Sequence, residues 1–172
     1  MSHKAGFTLI ELVVVLSIAA IITTVALPSF NALVKNNRAT SQANEVLSAI
    51  KLTRSEAIKR SQRMTLCPRA NPRTDPETCS NSNNWATGAL VFSDVTGTIG
   101  TFDTNDVMIK VMSSLSGAST LTSTGTTLQY LPSGDVASAV TLTLIMNNCT
   151  GKQSKEIRVT LTGRGKINSR NC

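Results

Sequence analysis

Residues 4–30 read KAGFTLIELVVVLSIAAIITTVALPSF, and this stretch decides the architecture. From Phe7 to Phe30 the chain is apolar over about the length a helix needs to span a bilayer. An ordinary secretory signal ends in a small-x-small cleavage site behind its apolar region. Here Ala19 and Ala20 lie inside the run, and the apolar pattern continues past them without a polar break. In front stand six short, polar residues, MSHKAG, that include Lys4. Glu11 is the exception within the run. A carboxylate in a hydrophobic helix is expensive, so Glu11 marks a functional position for which a charged partner is expected.

Beyond Phe30 the helical pattern turns amphipathic. Ala39, Ala43, Val46, Leu47, Ile50, Ala57 and Ile58 recur at helical spacing, with Lys51, Arg54, Lys59 and Arg60 among the polar positions. A helix over 7–63 would be roughly 85 Å long, more than a bilayer, so its second half belongs outside the membrane. From Met64 the pattern changes to short β-prone runs at 64–67, 88–93, 107–112, 126–131, 139–147 and 156–162. Alternation is clearest in VTLTL at 140–144 and IRVTL at 157–161, as in half-buried antiparallel strands. Residues 69–84, 96–106 and 113–125 read as loops, and 163–172 as a Gly-bounded tail. The expected fold is α+β: one long N-terminal helix, first transmembrane (7–30) and then amphipathic (31–63), packed on a small antiparallel β-sheet or β-sandwich head (64–172).

Lys and Arg number 17 against 10 Asp and Glu, a formal charge of +7. The excess is uneven. Residues 35–73 carry nine basic side chains against Glu45 and Glu56, residues 74–135 carry six acids against Lys110, and residues 136–172 carry six basic side chains against Glu156. A fold that joined the two basic segments would make a positive face. Aromatic residues are only 3% of the chain, which argues against a base-stacking platform for single strands. The four cysteines, Cys67, Cys79, Cys149 and Cys172, lack zinc-ligand spacing and point to disulfides in an oxidising compartment. Three pairings are open. Cys67–Cys79 and Cys149–Cys172 are preferred, because each pair brackets a polar stretch.

No catalytic set stands out. His3 is the sole histidine, so a His-assisted nucleophile is not expected beyond the first few residues. Asp103 and Asp106 hint at a calcium loop that lacks its Gly and terminal Glu, and a solvated turn is the better reading. No cofactor and no metal are expected.

The string at residues 4–12, KAGFTLIEL, resembles the class III signal of type IV pilins and type II secretion pseudopilins. The resemblance implies removal of the leader 1–6 by a prepilin peptidase after Gly6, methylation of the new amine of Phe7, and retention of the apolar helix. It also implies that Glu11 neutralises the amino terminus of a neighbouring subunit during assembly, and that Pro28 loosens the helix in filaments, as its missing N–H would. Three further stretches are similar to the GspH/FimT group: 54–68, RSEAIKRSQRMTLCP; 128–135, LQYLPSGD; and 157–166, IRVTLTGRGK. That family implies a single-pass subunit in a bacterial inner membrane, head in the periplasm, later part of an extracellular pilus beside other pilins.

The C-terminal stretch 163–172, GRGKINSRNC, is the best candidate ligand site, since clustered cations held by a Cys172 disulfide are preorganised for phosphate. In the FimT branch a Gly-Arg-x-Arg tail is the DNA contact for natural transformation, and its two basic positions fall on Arg164 and Lys166. Lys166 departs from the pattern, losing bidentate geometry but keeping charge. Arg170, with Lys152 and Lys155, extends the patch. The expected ligand is DNA, as readily duplex as single-stranded, bound through its backbone without sequence preference. Two alternatives stand beside this reading: a GspH-like secretion pseudopilin, and a structural minor pilin without a ligand.

Overall fold

The computed structural model describes residues 8–72, 77–117 and 119–172, and of residues 25–28 the backbone only. The chain divides into two compact units, Met1–Lys35 and Asn36–Cys172. Helix α1 runs over Leu9–Arg60. In the first unit it is long and apolar enough to cross a membrane, with a mean hydropathy of 2.5 over its most apolar window. Its start is set by Thr8, whose Oγ1 accepts the Glu11 amide at 3.3 Å. Thr8-x-x-Glu11 thus has the spacing of a capping box, and the carboxylate sits in the first turn, where the helix dipole favours it. The hydroxyls of Ser17, Thr23 and Thr24 donate back to the carbonyls of Val13, Ala20 and Ile21, so these polar groups need no outside partner in a hydrocarbon setting.

Within the second unit the helix buries Ala39, Ala43, Val46, Ala49, Ile50, Thr53 and Ala57. These positions fall three and four apart and form one stripe. Thr53 satisfies its hydroxyl on the Ala49 carbonyl at 2.8 Å. Two expectations are corrected here. Ile58 lies off the stripe and is half exposed, and the helix stops at Arg60 rather than Arg63. The reason for the stop is local. Ser61 takes a left-handed φ of 51°; its amide returns to the Ile58 carbonyl at 3.3 Å, and that of Gln62 to Ala57 at 3.2 Å. This closes the last turn as a Schellman motif.

Among the described residues eight strands follow, all paired antiparallel. They are β1 (Met64–Pro68), β2 (Ala89–Ser93), β3 (Met108–Met112), β4 (Thr120–Ser123), β5 (Leu128–Tyr130), β6 (Val140–Ile145), β7 (Ser154–Val159) and β8 (Gly165–Arg170). One sheet has the order β3-β2-β1-β5 and the other β4-β6-β7-β8. Met64, Leu66, Val91, Leu128 and Tyr130 of the first sheet share one core with Leu121, Leu142, Leu144, Ile157 and Val159 of the second and with the helix stripe. Trp85 joins that core and donates its indole N–H to the Gly125 carbonyl at 3.3 Å. The other face of the first sheet carries a smaller cluster of Cys67, Leu90 and Phe92, capped by Phe102 in an edge-on ring contact at 5.3 Å. Disulfides join Cys67 to Cys79 and Cys149 to Cys172.

Two strands lie where loop and tail were expected. β4 falls inside the Ser/Thr run 113–125, where Leu121 is the one large apolar residue among Thr120, Thr122 and Ser123. β8 replaces the tail. Asp103 and Asp106 close a turn, accepting the backbone amides of Asn105 at 3.3 Å and of Val95 and Asp103 at 3.3 and 3.1 Å.

Ala43, Ala49 and Ala57 of the stripe are fully buried in the shared core, with no room set aside for a larger side chain. Replacing Ala43 by Leu is expected to lower the stability of the head by roughly 1–3 kcal/mol through overpacking, measured by denaturant unfolding. An unchanged midpoint would mean that the helix is not held at close range.

Candidate nucleic-acid interface

The basic side chains of the C-terminal segment are organised by the hairpin β7–β8. Its six-pair register sets Arg158 opposite Lys166, Glu156 opposite Asn168, and Ser154 opposite Arg170. Directly opposed residues share a face, so these six lie on the side of the sheet away from the core, with Arg158, Lys166 and Arg170 exposed and Ser154 and Glu156 buried. The intervening positions Ile157 and Val159 are buried in the core.

The turn that carries Arg164 is built without slack. The Thr160 amide donates to the Arg164 carbonyl at 3.1 Å and the Gly163 amide to the Thr160 carbonyl at 2.8 Å. Gly163 has a left-handed φ of 73°, and a Cβ there would lie 2.0 Å from the Gly134 carbonyl oxygen. Only glycine fits. The Gly163 carbonyl accepts the buried Tyr130 hydroxyl at 3.0 Å, while Arg54 on the helix donates to Gly134 at 3.0 Å. Helix, first sheet and hairpin turn therefore meet at one hydrogen-bonded joint. Burial pushes the Tyr130 phenol up to about 12. Next along, a Cβ on Gly165 would meet Leu47 Cδ1 at 2.7 Å, so the strand backbone packs against that side chain of the helix. At the far end the Cys149–Cys172 bridge and a 3.1 Å hydrogen bond from Cys172 N to the Gly151 carbonyl fasten the chain beyond β8 to the β6–β7 connection.

Glu156 organises the middle of the patch. Its nearly buried carboxylate accepts Arg158 Nη2 at 3.1 Å and Arg170 Nη1 at 2.7 Å, while both guanidinium side chains stay more than half exposed. One anion thus orients two cations and neutralises one. Arg164 and Lys166 are exposed, and no ion pair joins either of them among the described residues. Lys152 is exposed as well. Lys155 departs from the expected surface set: it is 5% exposed, and its ammonium donates to Asn36 Oδ1, the Lys152 carbonyl and Ser169 Oγ at 3.0–3.3 Å. It fastens β7 to the helix and to β8 and has no donor to spare.

Of the positions tied to assembly, Glu11 is exposed on α1. Gly6 and Phe7 lie outside the described residues, as does the side chain of Pro28, across which α1 is continuous. Arg158 was not singled out in the sequence. Its place in the alternation IRVTL marks it as outward, but its alignment with Lys166 appears only once 165–170 is seen to be a strand.

A long apolar-then-amphipathic helix packed on two antiparallel sheets is a pilin-like fold. Residues 42–165 match the family model Type II transport protein GspH, and residues 1–27 match the prokaryotic N-terminal methylation motif. The chain belongs to the GspH family. No curated protein sequence matches it. The fold is similar to that of the type IV minor pilin FimU of Pseudomonas aeruginosa, with a TM-score of 0.59 at 13% identity, over 79% of this chain and 92% of that one. A second crystal form of FimU gives 0.55 at 15% identity over 75% and 91%. The minor pseudopilin EpsH from the Type 2 Secretion System of Vibrio cholerae gives 0.49 at 15%, over 78% and 97%.

Two substitutions probe the joint. Gly163→Ala is expected to destabilise the head by roughly 3 kcal/mol through backbone strain and clash, whereas Tyr130→Phe should remove about 1–2 kcal/mol. The phenol titrates higher folded than unfolded. Its contribution is therefore full below the unfolded value near 10 and is lost as pH rises toward about 12. Unfolding midpoints measured across that window should fall more steeply for the wild type than for Tyr130→Phe. Equal slopes would contradict the assignment.

Proposed function

We propose that this chain is a minor pilin of a type IV pilus whose head binds DNA through its backbone, without sequence preference, as a receptor for DNA uptake. The observation that carries the reading is the set Arg158, Arg164, Lys166 and Arg170 on one rigid hairpin with a single carboxylate, Glu156, among them. Cations fixed before contact lose little side-chain entropy on meeting phosphates, and a patch without aromatic side chains favours duplex over unstacked bases. In this reading prepilin peptidase removes residues 1–6 and methylates Phe7, and the apolar helix holds the subunit in the inner membrane with its head in the periplasm. Glu11 then meets a neighbour's terminal amine, and Pro28 lets the helix loosen as the pilus assembles. The chain acts as a binding and structural subunit, not a catalyst.

A second reading, a pseudopilin of a type II secretion system, is favoured by the family's own description. In that case the basic face would meet an acidic neighbour or cargo. DNA affinity separates the two. The head, residues 36–172, holds its own core and both disulfides and is the piece to test. Four cations predict a log–log salt slope of roughly −3 to −4, which Arg164→Gln/Lys166→Gln should reduce by about 2. Absence of binding at low salt would remove the DNA role and leave the secretion pseudopilin and the ligand-free structural minor pilin.

A further inference from the structure

The hairpin places two cations directly against one another. Arg158 and Lys166 are register partners on β7 and β8, and both are exposed. Like charges at directly opposed positions destabilise a strand pair. The adjoining carboxylate does not cancel them, because Glu156 is shared between Arg158 and Arg170 and its shorter bond goes to Arg170. Arg164 adds a third positive charge two residues before Lys166, at the mouth of the turn. This end of the sheet therefore carries repulsion that an anion would relieve.

The same row continues across the sheet without any acid. Arg158 is opposite Thr141 on β6, and the Thr141 amide donates to Thr124 Oγ1 at 3.0 Å. The row below, by contrast, runs Asn168, Glu156, Thr143, Thr122 and so holds the carboxylate. Arg170 lies at the other end of β8 and shares Glu156 with Arg158.

Resting on the DNA reading above, we infer that Arg158, which lies outside the Gly163–Lys166 segment, is a primary phosphate contact. With Lys166 and Arg164 it forms a three-cation clamp from which the DNA backbone crosses the sheet face over Thr141. Arg170 is a positioning residue that holds Glu156. Retention of a repulsive pair at the surface is the stability cost of the site.

The test uses the full chain in detergent micelles, a short mixed-sequence duplex, and the variants Arg158→Gln, Arg158→Lys, Arg164→Gln and Lys110→Gln. Lys110→Gln removes one charge from β3 in the other sheet. Arg158→Gln should weaken low-salt binding about tenfold, the worth of one charge-assisted hydrogen bond, and flatten the salt slope by about 0.9. Arg158→Lys should keep the slope, and Lys110→Gln should change neither quantity. Without DNA, Arg158→Gln should melt at or above the wild-type temperature, and added duplex should raise its midpoint less than it raises that of the wild type. Wild-type binding that falls with Arg164→Gln but not with Arg158→Gln overturns the clamp and leaves the DNA reading intact. Equal losses in Arg158→Gln and Lys110→Gln, or a lower melting temperature for free Arg158→Gln, also overturn it. No binding by the wild type removes both.

Discussion

The head depends on a helix face made of small side chains. Ala39, Ala43, Ala49 and Ala57 are fully buried, and Val46 and Ile50 join the core that the helix shares with both sheets. Larger residues there would lift the helix and open the shared core, whose close packing leaves little room for adjustment. The same closeness reaches the binding face. Leu47 rests against the backbone at Gly165 and Arg54 holds the Gly134 carbonyl, so the turn that presents Arg164 is referenced to the helix.

Much of this was legible in the sequence, and for physical reasons. The apolar run from Phe7 and the period of the stripe after it announce the helix, because both patterns extend over many residues. The strands with strong alternation, 140–145 and 154–159, lie close to where IRVTL and VTLTL put them. Weak patterns failed. In β4 a single Leu121 stands among hydroxyl residues, and in β8 Gly165, Asn168 and Ser169 are poor strand formers. Those strands exist because their neighbours supply hydrogen-bonding edges, which is information a local window does not hold.

The candidate site shows the same division. Arg164 and Lys166 were visible as charges near glycines, whereas the alignment of Arg158 with Lys166 and the enclosure of Lys155 are products of register. Charge counting treats all six cations of the last segment alike. The fold sorts them: Lys155 is spent on internal acceptors, Arg158 and Arg170 share Glu156 while staying exposed, and Lys152, Arg164 and Lys166 face out.

At the centre of the account is a basic surface that is a formed strand before any ligand arrives. Amide hydrogen exchange of the head without DNA tests this most directly. Pairing of β8 with β7 predicts slow exchange at alternate amides of residues 165–170, approaching that of β6 and β7. Uniformly fast exchange across 165–170 beside a protected β7 would mean a flexible tail, and would contradict the account.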